Sequence, residues 1–426
     1  MQKKLIIGIV IISIAGLFVG NWVYGNILSR KIEKRLEAKV ELITDNVQIK
    51  FEEIDVNPLF SELRLRGMYV VNQNGVEVAS AQKVELDMPY HEAVRLLKSR
   101  NIKELKAFKV YLINSRFLVS EVNDYIEIDE LSLSFRGHLT QEDIKHLNEK
   151  FPQEKQRLKI EAEGLSLAQT PWMDALGFTP DQIKRFNHVD EFKMVARFKP
   201  EEKKLQIEEL KVLAPILTYQ LEADMDYTGD GMDALQIEQA KSSMELQLGE
   251  GGIEWGDPEE SGRFALQNLY LKMDGEANYK NNKGQLTRHT TNFLLEGLTL
   301  KYAGKKKKQL ESRTALLGLK MDQLSVDRMV LNSSLDKKRM TISDSEITSS
   351  LIDASFSGKL LLDEENLTPS TIEKGNVTIH YLVPGVLNAL STFELMTGQS
   401  LPRDGKKIVL ELSGDVNRPT IKGFKY

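Results

Sequence analysis

Val47 to Met88 reads VQIKFEEIDVNPLFSELRLRGMYVVNQNGVEVASAQKVELDM, and within it apolar and polar residues take turns. Val47, Ile49 and Phe51 alternate with Gln48, Lys50 and Glu52, and Leu63 and Leu65 alternate with Arg64 and Arg66. Val76 and Val78, then Val84, Leu86 and Met88, continue the series. Successive side chains of an extended strand point to opposite sides. A period of two therefore marks a half-buried strand, one side apolar and the other wet.

The same period runs outward from this stretch. It returns at Phe108, Val110 and Leu112, at Ile126 and Ile128, at Leu131, Leu133 and Phe135, and at Leu158, Ile160 and Ala162. Further on it marks Phe192 to Phe198, Leu205 and Ile207, Tyr219 to Met225, Met244 to Leu248, Leu269 to Met273 and Phe293 to Leu300. Met340 and Ile342, Phe356 to Leu362, Val377 to Tyr381 and Ile408 to Leu412 complete it. Turn residues separate many of these runs: Asn74-Gly75, Gly229-Asp230-Gly231, Asn282-Lys283-Gly284 and Asp404-Gly405. The pattern predicts a mainly β chain, an antiparallel meander rather than a series of βαβ units.

A few short amphipathic helices interrupt it. Pro89 to Arg100 turns Val94 and Leu97 inward, and Thr140 with Asp143 has capping-box spacing. Thr179-Pro180-Asp181-Gln182 is a cleaner start, with Thr as cap, Pro at the first helical position and Gln reaching back. Pro384 to Thr397 places Val386, Leu387, Leu390 and Phe393 on one side. These helices are expected to plug or cover sheet ends, with membrane contact by the last one as the alternative.

The start of the chain has a different character. After Met1-Gln-Lys-Lys4, Leu5 to Tyr24 reads LIIGIVIISIAGLFVGNWVY without a charge. At ~1.5 Å per residue this run spans about 30 Å, the hydrocarbon thickness of a bilayer. Leu5, Ile6, Ile7, Val10, Ile12, Leu17 and Phe18 are its apolar body. Trp22 and Tyr24 fall at the end where amphipathic rings favour headgroups. A retained single-pass anchor is expected; a cleaved signal peptide is the rival reading. Lys3 and Lys4 oppose Arg30, Lys31, Lys34 and Arg35, so positive charge alone does not set orientation. A short basic leader before a long chain places the bulk outside the cytoplasm. Ile32, Leu36, Val40 and Ile43 then mark one face of a connecting helix. The expected organisation is an anchor over residues 1–28, a connecting helix over 29–44, a first β-rich part over 45–250 and a second over 251–426. The border falls in the glycine-rich stretch Gly249 to Gly252.

Composition narrows function further. The 426 residues are 41% hydrophobic and 28% charged, which is globular rather than disordered. A net charge of −5 gives no reason to expect nucleic acid. The absence of cysteine excludes disulfides, thiolate metal sites and a cysteine nucleophile. His91, His138, His146, His188, His289 and His380 show no metal-ligand spacing, and no G-x-S-x-G elbow or P-loop occurs. Adjacent acids such as Glu52-Glu53 point to opposite faces of a strand and make no two-carboxylate site. No catalytic residue, cofactor or metal is expected. Lys305, Lys306, Lys307 and Lys308 read as a solvated hairpin tip, or as a contact for acidic lipid headgroups or an acidic partner.

The Val47 to Met88 stretch resembles the start of the AsmA-like proteins of Gram-negative bacteria, where a strand leads through a proline-containing turn to a strand ending in glycine and then to a paired strand. Ile102-Lys-Glu-Leu105 and Val110-Tyr-Leu112 resemble the family's next step. Leu410-Glu-Leu-Ser-Gly-Asp-Val-Asn-Arg-Pro419-Thr-Ile421 is similar to the closing strand, glycine, turn, proline and strand of those chains. It also resembles the type II secretion N-protein and the YdgA-like membrane-anchored periplasmic family. The resemblance covers the two ends and not the middle. It implies an elongated, curved antiparallel sheet with an apolar concave groove, on a protein of the bacterial inner membrane with its bulk in the periplasm. It further implies lipid binding or transport between membranes in support of the envelope, with membrane lipids as partners. An assembly accessory that holds envelope proteins is the alternative. Alternation permits that groove without requiring it; a closed core explains the same pattern and is the stronger reading of any one strand.

Overall fold

A computed structural model describes residues 47–57, 62–89, 104–118, 125–140, 154–166, 179–227, 235–248, 252–256, 262–280, 283–314, 323–363 and 369–424. These residues form twenty-two β-strands and three α-helices, and the described strand registers are antiparallel. The chain divides into two units. The first contains residues 47–166 and 187–212 among those described, and most of the rest belongs to the second.

The first unit is a meander. Its strands are β1 (Val47–Lys50), β2 (Glu53–Asn57), β3 (Glu62–Asn72), β4 (Glu77–Asp87), β5 (Glu104–Leu118), β6 (Tyr125–Thr140), β7 (Gln156–Ser166) and β8 (His188–Lys199). β1 and β2 both pair with β3, and from β3 to β8 each strand pairs with the next. Asn72 closes the β3–β4 hairpin: it accepts from the Gly75 N–H at 2.9 Å, and Gly75 takes the left-handed conformation. β9 (Lys204–Ala214) and β10 (Leu217–Tyr227) lie where the chain leaves this unit.

Three left-handed residues fall at one level of this sheet, on alternate strands. Gly67 of β3, Asn114 of β5 and Gly164 of β7 have φ of 57°, 48° and 63°. The flanking registers align them through Gln82 of β4 and Asp129 of β6. Left-handed backbone in a strand kinks it locally, and glycine adopts it without steric cost. The alternation slips by one residue here: Arg66, Lys83, Ile113, Glu130 and Glu163 precede the row, and Met68, Ala81, Ser115, Ile128 and Leu165 follow it. Ser115 is fully buried, and its hydroxyl donates to the Ile128 carbonyl at 3.3 Å. A Cβ on Gly164 would meet Asp129 Oδ2 at 2.1 Å. Gly164→Ala is therefore expected to lower stability by about 2 kcal/mol, from backbone strain and that clash together. Asn114→Gly should change it by less than about 0.5 kcal/mol; urea unfolding of the two variants measures both.

The second unit repeats the plan. β11 (Leu235–Gln247) pairs with β14 (Asn268–Lys280), and β12 (Ile253–Trp255) with β13 (Gly262–Leu266). Both β13 and β14 pair with β15 (Lys283–Tyr302). β16 (Gln323–Asp336), β17 (Arg339–Ser349), β18 (Ile352–Leu362) and β19 (Pro369–Leu382) follow in order. β21 (Lys407–Asp415) pairs with β19, and the short β20 (Arg403–Asp404) and β22 (Thr420–Ile421) flank it. Fully buried Ser345 again follows a left-handed residue, Asp344. Its hydroxyl accepts from the Asn332 N–H and donates to the Ser343 carbonyl, both at 3.0 Å, so the bulge leaves neither group unpaired.

The helices are α1 (Pro180–Asn187), α2 (Gly304–Thr314) and α3 (Pro384–Thr397). α1 has the expected capping box: the Gln182 N–H donates to Thr179 Oγ1 at 3.4 Å and the Thr179 N–H to Gln182 Oε1 at 2.8 Å. α3 begins with Pro384 at its first turn and stops at left-handed Gly398.

Two expectations need correction. Lys305 to Lys308 do not form a hairpin tip; they open α2. Lysine is a good helix former and no turn residue follows Gly304, so the segment continues as helix. Lys283 and Gly284, read as turn residues, belong to β15 and pair with Lys280 and Tyr279. The expected anchor Leu5 to Tyr24, the connecting helix, and the helices read at Pro89 to Arg100 and after Thr140 lie outside the described residues. No described helix is long and apolar enough to cross a membrane.

Candidate functional site

Cross-strand register turns the period-two pattern into continuous rows. In the first unit Leu63, Leu86, Val110, Leu133, Ile160 and Met194 are successive partners from β3 to β8. Leu65, Val84, Leu112, Leu131, Ala162 and Phe192 form the row two residues along. Val56 and Ile54 of β2 extend the two rows by one strand. Phe108 and Phe135 stack beside them with ring centroids 5.5 Å apart. At ~4.8 Å between strands, seven strands span roughly 29 Å.

The intervening residues make a different surface. Asp55, Arg64, Glu85, Tyr111, Ser132, Glu161 and Lys193 form one row, and Asp87, Lys109, Ser134 and Lys159 the next. Ion pairs lace this face: Arg64–Glu85 at 3.0 Å, Lys83–Glu85 at 2.7 Å, Lys159–Glu161 at 2.6 Å and Lys193–Glu209 at 2.7 Å. The Lys83 hydrogen bond, helped by the Lys83 and Arg64 charges, holds Glu85 below the usual carboxylate range. Tyr111 donates its phenol proton to Glu130, which, with partial burial and the nearby carboxylate charges, pushes the phenol up to about 12. The short side chains of Ser132 and Ser134 leave a depression of about 330 Å³, bordered by Lys109, Arg136, Arg157, Lys159 and Glu161. Glu208 bridges Arg157 at 3.0 Å and Arg197 at 2.7 Å, so much of the positive charge there is already answered within the protein.

The second unit has the same two faces. Leu269, Leu295, Met329, Ile347, Ala354, Ile379 and Ile408 run across seven strands, again roughly 29 Å. Leu246, Leu271, Phe293 and Leu331 lie alongside. Asn268, Glu296, Arg328, Thr348, Asp353 and Tyr381 form a polar row between strands of the same set.

What covers the apolar faces decides their role. Among the described elements the closest backbone contacts join strands hydrogen-bonded side by side, and Phe186 of α1 packs on the second unit's sheet. Val84, Ala162 and Ala354 are buried by their neighbours, but Leu63, Leu86, Leu112, Leu131, Leu133, Leu295 and Ile347 are only half-buried. A true core cluster occurs in one place among the described residues. Leu248, Ile253 and Leu266 pack with Trp255, Leu269, Leu295, Leu298 and Phe186 of α1 at one end of the second unit's sheet. There α1 plugs a sheet end, as expected. α3 does not: none of its residues is buried.

Catalytic geometry is thin. Ser166 Oγ lies 3.1 Å from His188 Nδ1, and His188 Nε2 lies 3.4 Å from Asp190. Ser166 and His188 are direct partners in the β7–β8 ladder, where backbone N–H groups serve the neighbouring strands rather than an oxyanion. The same serine–histidine contact recurs at Ser355 and His380, also at 3.1 Å, so it is a cross-strand surface pair. No group of three or more metal-ligating side chains occurs among the described residues. Lys307 reaches Glu311 one turn along α2 at 3.8 Å, Lys308 is exposed, and the structure brings no apolar row to either. The sequence identified the apolar positions but not their alignment into rows, which depends on register. It also missed the exposure of α3, although Leu395 and Met396 fall off the apolar side read for that helix.

Compared with known protein families, curated proteins and solved structures, the chain matches none.

Proposed function

We propose that this chain is a non-enzymatic, membrane-anchored lipid-binding protein whose two sheet faces hold acyl chains, and that it serves lipid traffic and upkeep of the bacterial envelope from the periplasmic side of the inner membrane. The observation behind the reading is the pair of continuous apolar rows, many of whose side chains are only half-buried among the described residues, with polar and charged side chains at the alternate positions. Contiguous apolar patches that stay partly accessible mark binding surfaces. A span of roughly 29 Å is close to the hydrocarbon thickness of a whole bilayer, so an acyl chain fits along a row with room to spare. Wet and greasy faces on one sheet let a lipid's tail lie against protein while the opposite side stays in water. The uncharged run Leu5 to Tyr24 would tether it, and the resemblance of Val47 to Met88 and Leu410 to Ile421 to AsmA-like chains points the same way.

The test is the lipid content of residues 45–426 purified without detergent. Phospholipid is expected to copurify and to exchange with a fluorescent analogue. A folded, lipid-free body that takes up no fluorescent lipid, and that instead holds a protein partner, overturns the reading in favour of an assembly accessory.

A further inference from the structure

The helix α3 is built like a segment that lives in hydrocarbon. Leu395 is 85% exposed, Met396 82%, Phe393 49% and Leu387 38%. At 100° per residue these four side chains leave the helix in widely separated directions. A helix that is apolar around most of its circumference is ordinarily buried, yet none of this one is.

Most of its polar groups are paired within the protein. The hydroxyls of Ser391, Thr392 and Thr397 each donate to the carbonyl four residues back, at 2.9 Å in all three cases. The one charged residue, Glu394, accepts from Arg403 Nη2 at 2.7 Å and from the Leu401 N–H at 2.8 Å, and its side chain is only 12% exposed. Asn388, Thr392 and Thr397 are exposed, the last two with their hydroxyl protons already donated to the helix backbone. In water such back-bonding offers little advantage; in an apolar phase it removes the penalty of an unpaired polar group.

The surroundings select the apolar phase. The Glu394–Arg403 pair ties α3 to the β20–β21 hairpin, whose exposed Lys406 and Lys407 outnumber exposed Asp404 and give it a net positive charge suited to an anionic headgroup layer. Tyr381, 48% exposed, stands just before the helix, with a ring suited to the headgroup level. A protein groove would read one stripe at i, i+3, i+4 and i+7 and leave the opposite side polar; here apolar side chains face several ways, which a fluid lipid phase accommodates.

We infer that α3 inserts into the surface of an anionic phospholipid bilayer, as a membrane contact separate from the amino-terminal anchor. This holds whether or not the sheet faces carry lipid. The chain has no cysteine, so a single Leu395→Cys labels cleanly with an environment-sensitive dye such as NBD in the full chain. The labelled chain is reconstituted in phosphatidylcholine–phosphatidylglycerol vesicles, with a second vesicle population of the same composition added, and both contain acyl-chain nitroxide lipid. The expected result is a blue-shifted emission quenched at least threefold by the nitroxide and unaffected by aqueous iodide. Lys406→Glu together with Lys407→Glu should weaken that quenching at least twofold, most at low salt. Dye on Lys337→Cys, at the exposed β16–β17 turn, should stay iodide-accessible. Iodide quenching at position 395 overturns the inference. So does shielding without nitroxide quenching, which identifies a second copy of the chain or another protein as the cover.

Discussion

Leu133→Glu is expected to strip bound lipid from the chain while leaving it folded. Leu133 sits mid-row on β6 between Val110 and Ile160, and it is half-buried rather than part of a closed core. In the lipid-free chain a carboxylate there still reaches water, so the folding cost stays near 1 kcal/mol. Against an acyl chain the same carboxylate loses its hydration without gaining a partner, at a cost of several kcal/mol. Each ~1.4 kcal/mol is tenfold in affinity, so lipid affinity should fall on the order of 100-fold. Ser132→Glu, one residue away on the charged face, should leave lipid content unchanged. Lipid extraction and mass spectrometry of the two variants, beside a thermal melt, give the comparison. Unfolding of Leu133→Glu would instead mean that the row is sealed inside a core.

Leu248→Ala is expected to have the larger effect on stability. Leu248 is 2% exposed at the centre of a cluster that resembles an ordinary core, packed with Ile253, Leu266 and Phe186 of α1. Truncating a buried leucine leaves a cavity and typically costs about 3 kcal/mol. Leu133→Ala should cost only about 1 kcal/mol, because the partly accessible site loses fewer contacts and no sealed cavity forms. Chemical denaturation monitored at Trp255, in the same cluster, reads the Leu248 variant directly. Equal costs at the two positions would show that the apolar row is as enclosed as the cluster.

Much of this fold was legible in the sequence because its main determinant is local. Alternation at Leu63 and Leu65, at Val110 and Leu112, and at Leu131 and Leu133 reports strand and face together, and those positions line up across the sheet. The α1 cap was legible too, since Thr179, Pro180 and Gln182 act within a single turn. Register was not, because pairing Leu133 with Ile160 depends on residues dozens of positions apart. The level of Gly67, Asn114 and Gly164 is hidden for the same reason: each left-handed residue is visible alone, and only pairing sets them in a line. The lysine run failed as a turn because helix propensity outweighed the hint from Gly304. The exposure of α3 was missed because helical periodicity identifies an apolar side without saying whether anything packs on it.

The most direct test of the proposed lipid-binding surface is site-specific photocrosslinking along β6 in the intact chain reconstituted with phospholipid vesicles. A photoreactive phenylalanine analogue is placed in turn at Leu131, Ser132, Leu133 and Ser134, consecutive residues that alternate between the apolar rows and the charged face. The account predicts phospholipid adducts at Leu131 and Leu133 and none at Ser132 and Ser134. Adducts at all four positions, at neither leucine, or to protein alone at the leucines would contradict it.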